Sequence, residues 1–148
     1  MLYFDTSFLV PLVLRERLSE EVENFLKRLP AEELAVSQWT CVEFSSLLAR
    51  NVRMRIMIGE KALEADREFD DLVRRSFLVI APSVEDFDQS RKYLRDYKTR
   101  LRAGDAFHLA IASNNHAKTI FSLDKGMLQA GRLLGLPVRD TRFPYSPK

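Results

Sequence analysis

The sequence predicts an α/β fold, a three-layer α/β/α sandwich in which helices cover both faces of a central, mostly parallel sheet. Short apolar runs recur along the chain, and such runs suit strands that are buried on both faces. A segment with apolar residues at helical spacing follows each run, and this alternation is typical of parallel sheets. The four runs are residues 2–4, 34–36, 77–80 and 119–123.

Helices are predicted between and after these runs. Val22, Phe25 and Leu29 belong to an apolar stripe that stops at Pro30, and Pro11 should bend or divide the helical stretch after the first run. Phe44 lies in the helix predicted after the second run. The remaining helices are expected over residues 60–73, from a cap at Ser83 onward, over residues 105–115 and over residues 125–134, with Val138 opening a last short strand.

Composition limits the class of protein. A chain of 148 residues that is 46% hydrophobic has enough apolar material for one core, so a single domain over residues 1–148 is expected. The net charge of +2 permits an anionic partner without requiring one. The lone Cys41 excludes an internal disulfide framework and favours a cytoplasmic location. Asp5 interrupts any secretory signal, and no apolar run is long enough to span a membrane.

Four acids are expected to meet at one edge of the sheet. Asp5 directly follows the first run and Asp124 directly follows the fourth. Glu43 lies in the first turns of the helix after the second run, and Asp105 lies in the first turn of the helix before the fourth. Parallel sheets bind ligands beyond the carboxyl ends of their strands, which is where these side chains should converge.

Such a group of carboxylates predicts a divalent cation. Unpaired carboxylates a few ångströms apart would repel by several kcal/mol, and a cation removes that repulsion. Oxygen ligands without a Cys or His cluster suit magnesium or manganese (Mg²⁺ or Mn²⁺). These ions acidify bound water and neutralise charge on a phosphate, so metal-assisted phosphodiester hydrolysis is the predicted chemistry.

Four segments resemble the PIN domain, and most closely its small single-domain ribonucleases of VapC type. They are DTSFLVPL at the start, TCVEFSSLLAR, AGDAFHLAIA, and FSLDKGM followed by LGL. Ser122 replaces the commoner threonine of the last motif, and Met127 stands where an aromatic is frequent. The functional acids of that family match Asp5, Glu43, Asp105 and Asp124 here.

The resemblance implies a Mg²⁺- or Mn²⁺-dependent endoribonuclease, which is the toxin of a toxin–antitoxin pair. It also implies a homodimer, an RNA substrate and a cognate protein antitoxin that blocks the site. Thr6, Ser7 and Ser122 are expected to orient the carboxylates or a metal-bound water. His108, a lone histidine on an apolar helix, is interpreted as a structural hydrogen-bonding residue, and Cys41 as a packing residue.

Two basic segments are candidates for RNA binding. The strongly basic segment over residues 91–102 leads directly toward Asp105, and Lys98, Arg100 and Arg102 within it are predicted to bind RNA phosphates. Tyr93 and Tyr97 could stack on unpaired bases. The same segment also fits a plain solvated helix. Residues 50–55 form a second basic patch. The apolar residues that overlap and follow it suggest a surface for a protein partner or a second copy; they are Met54, Ile56, Met57 and Ile58.

Other interpretations remain open at the level of sequence. Each acid could serve only a helix terminus: Asp5 and Asp124 as N-caps, Glu43 in a capping box with Thr40, and Asp105 at a helix dipole. A non-catalytic RNA-binding or adaptor module would keep the same fold. A phosphatase of the haloacid dehalogenase kind also places Asp after the first strand, but its second Asp, two residues on, is absent here.

Overall fold

The computed structural model describes residues 1–142 and confirms the predicted parallel sheet. Residues 143–148, the end of the predicted single domain, lie outside the described residues. The strands are β1 (Leu2–Phe4), β2 (Leu34–Ser37), β3 (Leu78–Ile80), β4 (Thr119–Phe121) and β5 (Val138–Arg139). They form one five-stranded sheet in the order β3-β2-β1-β4-β5, and every pairing is parallel.

The helices lie where the apolar spacing predicts them, with small shifts at their ends. Pro11 lies inside the first helix and does not divide it, so that part of the prediction is wrong; the helix ends at Val13. No helix described between residues 1 and 142 has the length and apolar character needed to cross a bilayer. The helices are α1 (Thr6–Val13), α2 (Ser19–Leu26), α3 (Gln38–Arg53), α4 (Gly59–Ser76), α5 (Val84–Arg95), α6 (Ala103–Asn114) and α7 (Lys125–Leu133).

The sheet separates two hydrophobic cores. Because successive side chains of a strand point to opposite faces, Phe4 enters one core and Tyr3 the other. The Phe4 core packs against α1 to α4 and contains the ring contacts of Phe8, Phe25 and Phe121. The Tyr3 core is built mainly from α6 and α7. Strands held between these two cores end in fixed positions, which makes the edge beyond β1 and β4 a rigid platform.

The third strand is more exposed than its apolar sequence predicts. Leu78 is 62% exposed and Val79 is 38% exposed, so the expectation of burial on both faces is wrong for β3. The reason is its place in the sheet, since β3 is an edge strand bonded only to β2. The apolar turn after α3 is also open, with Met54, Ile56 and Ile58 each more than half exposed. Its role as a partner surface stays a prediction.

Candidate active site

Asp5 begins the site at the carboxyl end of β1. It is the N-cap of α1, where its Oδ1 accepts a hydrogen bond from the Phe8 backbone N–H at 3.1 Å. The hydroxyls of Ser7 and Ser122 donate to the same carboxylate, each at 2.8 Å. Ser7 comes from α1 and Ser122 follows β4, so two segments fix the Asp5 carboxylate. The interpretation as a cap and the interpretation as a site residue therefore describe the same side chain.

The Asp5 carboxyl is costly to ionise. Burial raises its pKa to about 6, although His108 and the hydroxyls of Ser122 and Ser7 oppose that shift. The side chain is only 3% exposed. A buried carboxylate whose charge is incompletely offset by the protein favours a cation beside it.

Glu43 lies on α3 and faces Asp5 across the same edge. Its Oε2 accepts a hydrogen bond from Thr6 Oγ1 at 2.5 Å and contacts His108 Nε2 at 2.6 Å. The predicted capping box with Thr40 is wrong, because α3 begins one turn earlier with Ser37 as its N-cap and Thr40 as the capping partner. Glu43 is therefore free of helix capping, and its contacts direct it toward α1 and α6.

A buried chain of hydrogen bonds through His108 and Tyr3 holds Glu43 in place. His108 is 1% exposed, and its Nδ1 lies 2.8 Å from the Tyr3 hydroxyl, which in turn donates to Ser37 Oγ at 2.9 Å. The interpretation of His108 as a structural hydrogen-bonding residue agrees with this arrangement. The part played by Tyr3 was not predicted from the sequence. The available signal was a polar ring within a fully apolar run, since a buried hydroxyl needs a partner.

The pKa of Glu43 reflects these contacts. Burial works to raise it, but the hydrogen bond and charge of His108, together with Thr6, lower it below its usual value. Trp39 Nε1 lies near this carboxyl and adds to the lowering, yet it completes no hydrogen bond of normal geometry among the described residues. A small rotation of Glu43 would let this buried N–H reach it.

Asp105 and Asp124 complete the acidic edge. Asp124 is the N-cap of α7 and accepts from the Met127 backbone N–H at 2.8 Å. Asp105 lies half-buried in the first turn of α6. Its pKa is raised first by burial and then by the negative charges of Asp124 and Glu43. The carboxylates are therefore close enough to disfavour one another's ionisation.

One cavity of about 620 Å³ contains all four acids. Thr6, Ser7 and His108 also line it, and so do Arg50 and Arg53 from the second basic patch. Lys98, Arg100 and Arg102 are exposed but do not line this cavity. Their predicted role in RNA binding stays a prediction.

The donor chemistry of the cavity fits a hard cation, but the side chains are not preassembled around one. Within residues 1–142, no three His, Cys, Asp or Glu side chains are arranged to hold a metal ion. Asp5 and Glu43 accept hydrogen bonds from protein hydroxyls, Glu43 also contacts His108, and Asp124 accepts a hydrogen bond from its own helix at Oδ1. None of the side-chain hydrogen bonds described above ends on Asp105, on the second oxygen of Asp124 or on Glu43 Oε1. The site therefore fits a hard cation by its oxygen ligands and its negative charge, and not by an assembled coordination geometry.

This fold and acidic edge define a known class of protein. The family model of the PIN domain matches residues 2–133, so the chain belongs to the PIN domain family. FitAcB from Neisseria gonorrhoeae is similar, with a TM-score of 0.73 and 18% identity over 95% of this chain and 98% of that one.

Two further solved structures share the fold. VapC20 from Mycobacterium tuberculosis, described as a Sarcin-Ricin loop cleaving toxin, has a TM-score of 0.69 and 18% identity over 88% of this chain and 95% of that one. VapBC-1 from nontypeable Haemophilus influenzae has a TM-score of 0.68 and 17% identity over 95% and 98% of the two chains. At these identities the likeness shows the fold alone. The comparison with curated proteins found no match.

Proposed function

We propose that this PIN domain is a Mg²⁺- or Mn²⁺-dependent endoribonuclease. The observation that carries the proposal is that acids from four separate elements line one cavity at the carboxyl edge of the sheet. Helix capping accounts for an acid at two of these positions, but it gives no reason for all four to share a cavity. The residues proposed to hold the metal are Asp5, Glu43, Asp105 and Asp124.

The protein's own groups have distinct proposed roles. Ser7 and Ser122 hold the Asp5 carboxylate, and Thr6 and His108 hold Glu43, so two ligands are fixed before substrate arrives. A bound divalent ion supplies neutralisation of phosphate charge and a more acidic water. Without it the acids would repel an RNA phosphate, because like charges face each other across a partly buried cavity.

We further propose that the chain is the toxin of a toxin–antitoxin pair, acting as a homodimer that a protein antitoxin inhibits. The support is the fold shared with VapC20 and with complexes such as VapBC-1. A cytoplasmic location is proposed with it, because the RNA substrate is there and the free Cys41 tolerates a reducing compartment.

The test is cleavage of a mixed pool of single-stranded and structured RNAs with magnesium, with manganese and with chelator. Asp5→Asn and Asp105→Asn should each abolish cutting, while Asp88→Asn, an exposed acid on α5 that lines no described cavity, should cut like the wild type. Circular dichroism checks that every variant folds. Cutting that survives in chelator, or in both site variants, would refute the proposal.

A non-catalytic RNA-binding module is the second candidate. It is favoured by the lack of any preassembled three-ligand group among the described residues. Such a module should bind RNA equally well with and without divalent ions and should cut nothing. The haloacid dehalogenase-like phosphatase is tested by a parallel assay with a small phosphomonoester, from which it would release phosphate and a ribonuclease would not.

A further inference from the structure

The acid-lined cavity adjoins a second cavity. The second measures about 580 Å³ and lies against α7 and the segment before α2. Leu18 and Leu123 line both cavities, so the two adjoin along a shared apolar border, and together they are called the combined groove. Each has the volume of a site for a small organic ligand, which is enough to hold unpaired nucleotides.

Positively charged side chains without an ion-pair partner among the described residues lie at the α3 end of this combined groove. Arg50 and Arg53 follow Glu43 on α3 by two and three helical turns, and both line the acidic cavity. Neither side chain forms an ion pair or hydrogen bond with another residue in the described part of the chain. Their positive charge is therefore available to a ligand in the groove.

Unpaired cations also lie at the opposite end. Arg17 and Lys125 line the second cavity, both are exposed, and neither has an ion-pair partner within residues 1–142. Asp140, an acid of this cavity, is paired with Arg142 at 2.5 Å, whereas Glu21 accepts from the Thr141 hydroxyl and keeps its charge. Because Arg132 also lines the cavity, its cationic side chains outnumber its acids and its net charge is positive.

We propose that an unpaired segment of RNA lies along the whole groove, with phosphates on Arg50 and Arg53 at one end and on Arg17 and Lys125 at the other. This rests on the proposed ribonuclease function and adds the path of its substrate. The acids line the same cavity as Arg50 and Arg53, and Asp124 directly precedes Lys125, so an RNA strand that reaches both cationic pairs passes the acids. Leu18 and Leu123 offer an apolar wall for bases, which fits nucleotides better than a uniformly charged ligand.

Binding of a fluorescent, unstructured RNA oligonucleotide in chelator tests the path without cleavage, and it is measured in an Asp5→Asn/Asp105→Asn background so that two repelling charges are removed along with the metal. The double variants Arg50→Ala/Arg53→Ala and Arg17→Ala/Lys125→Ala should each weaken binding about tenfold and lower the slope of log K against log salt by about 1.4, since each single-strand phosphate contact contributes about 0.7. Their losses should add in the quadruple variant, because the pairs contact different phosphates.

The control is Arg67→Ala/Arg75→Ala, which removes the same charge from α4 at positions that line neither cavity. It should leave affinity and slope unchanged. An unchanged slope in either groove variant, an equal loss in the control, or equal binding of duplex RNA would overturn the proposal.

The two proposals fail separately. Cutting of RNA by a protein in which neither cationic pair affects binding would leave the ribonuclease standing and remove this path. RNA binding through both cationic pairs without metal-dependent cutting would leave this path standing and refute the ribonuclease.

Discussion

The substitution Gly104→Ala tests whether the position of the Glu43 carboxylate matters, because it should move this side chain without removing its charge. Gly104 lies in the first turn of α6, and a Cβ at this position would overlap Glu43 Oε1, with Trp39 Nε1 at 3.7 Å. The obstructing atom is the far end of a flexible side chain, so Glu43 should move and α6 should stay. Movement would break its contacts with Thr6 at 2.5 Å and His108 at 2.6 Å.

The expected effects on activity and stability differ in size. Displacing a group at a reacting centre by about 1 Å can cost on the order of 100-fold in rate, and a loss of this size is expected for RNA cleavage. Alanine favours a helix over glycine by up to about 1 kcal/mol. Weakened hydrogen bonds to the Glu43 carboxylate cost about 1.5–3 kcal/mol, so the net destabilisation should stay below about 2 kcal/mol.

The assay is initial-rate cleavage at saturating magnesium, combined with urea unfolding. Gly59→Ala is the matched control, because a Cβ at the first residue of α4 meets nothing within 4 Å and should leave the rate unchanged. A wild-type rate in Gly104→Ala would refute the reasoning that the pose of Glu43 matters.

Two further predictions concern stability. Burial raises the pKa of Asp5 to about 6, well above its ordinary value of about 3.9. The folded state therefore binds more protons than the unfolded state, and the metal-free wild type should lose stability as pH rises from about 4 to about 6. Two pKa units are worth about 3 kcal/mol, and losing a hydroxyl hydrogen bond costs about 1.5 kcal/mol, so Asp5→Asn should be about 1.5 kcal/mol more stable at pH 7, with a flatter profile. Parallel urea-unfolding profiles for the two proteins would contradict this. Tyr3→Phe leaves His108 Nδ1 and Ser37 Oγ without their buried partner and should cost about 1–3 kcal/mol, lowering the melting temperature by several degrees. Tyr97→Phe, at a position that is 85% exposed, is its control, and equal melting temperatures would exclude a structural role for the Tyr3 hydroxyl.

Most of the fold could be predicted because the strands and helices follow from hydrophobic period and composition. The burial of β3, the N-cap of α3 and the effect of Pro11 were misjudged. The run at Leu78 looks like a central strand because sequence reports apolar character and not the number of neighbours, whereas the order of the sheet places it at an edge. The cap of α3 was misplaced because Ser37 and Thr40 are both good caps, and the end of β2 decides between them.

The candidate site was predictable in position but not in orientation. The sequence predicted that Asp5 and Asp124 would meet at the carboxyl edge of a parallel sheet, and the structure adds that their strands, β1 and β4, are direct neighbours. The pose of Glu43 depends on Tyr3 and His108, which lie more than a hundred residues apart in the chain and meet only after the sheet forms. No local pattern carries that contact.

The basic segments also show that nearness in the sequence does not predict which side chains meet in the acidic cavity. Proximity in sequence to Asp105 suggested Lys98, Arg100 and Arg102, yet these do not line the acidic cavity. Arg50 and Arg53 do line it, because residues spaced by three and four positions share one face of a helix, and Glu43 and Leu47 begin that face. Helical phase, and not distance along the chain, is therefore the better guide to which cations share a cavity with the acids.

The electrostatics of the acidic edge give a physical reason why a cation belongs in the proposed function. Ser7, Ser122 and the Phe8 N–H all donate to Asp5, and burial still raises its pKa to about 6. Asp105 is disfavoured further by the charges of Asp124 and Glu43. Further hydroxyl donors cannot remove repulsion among neighbouring charges, whereas a divalent ion can. Since metal and proton compete for the same oxygens, metal affinity should fall below about pH 6, and binding should release protons and stabilise the folded chain.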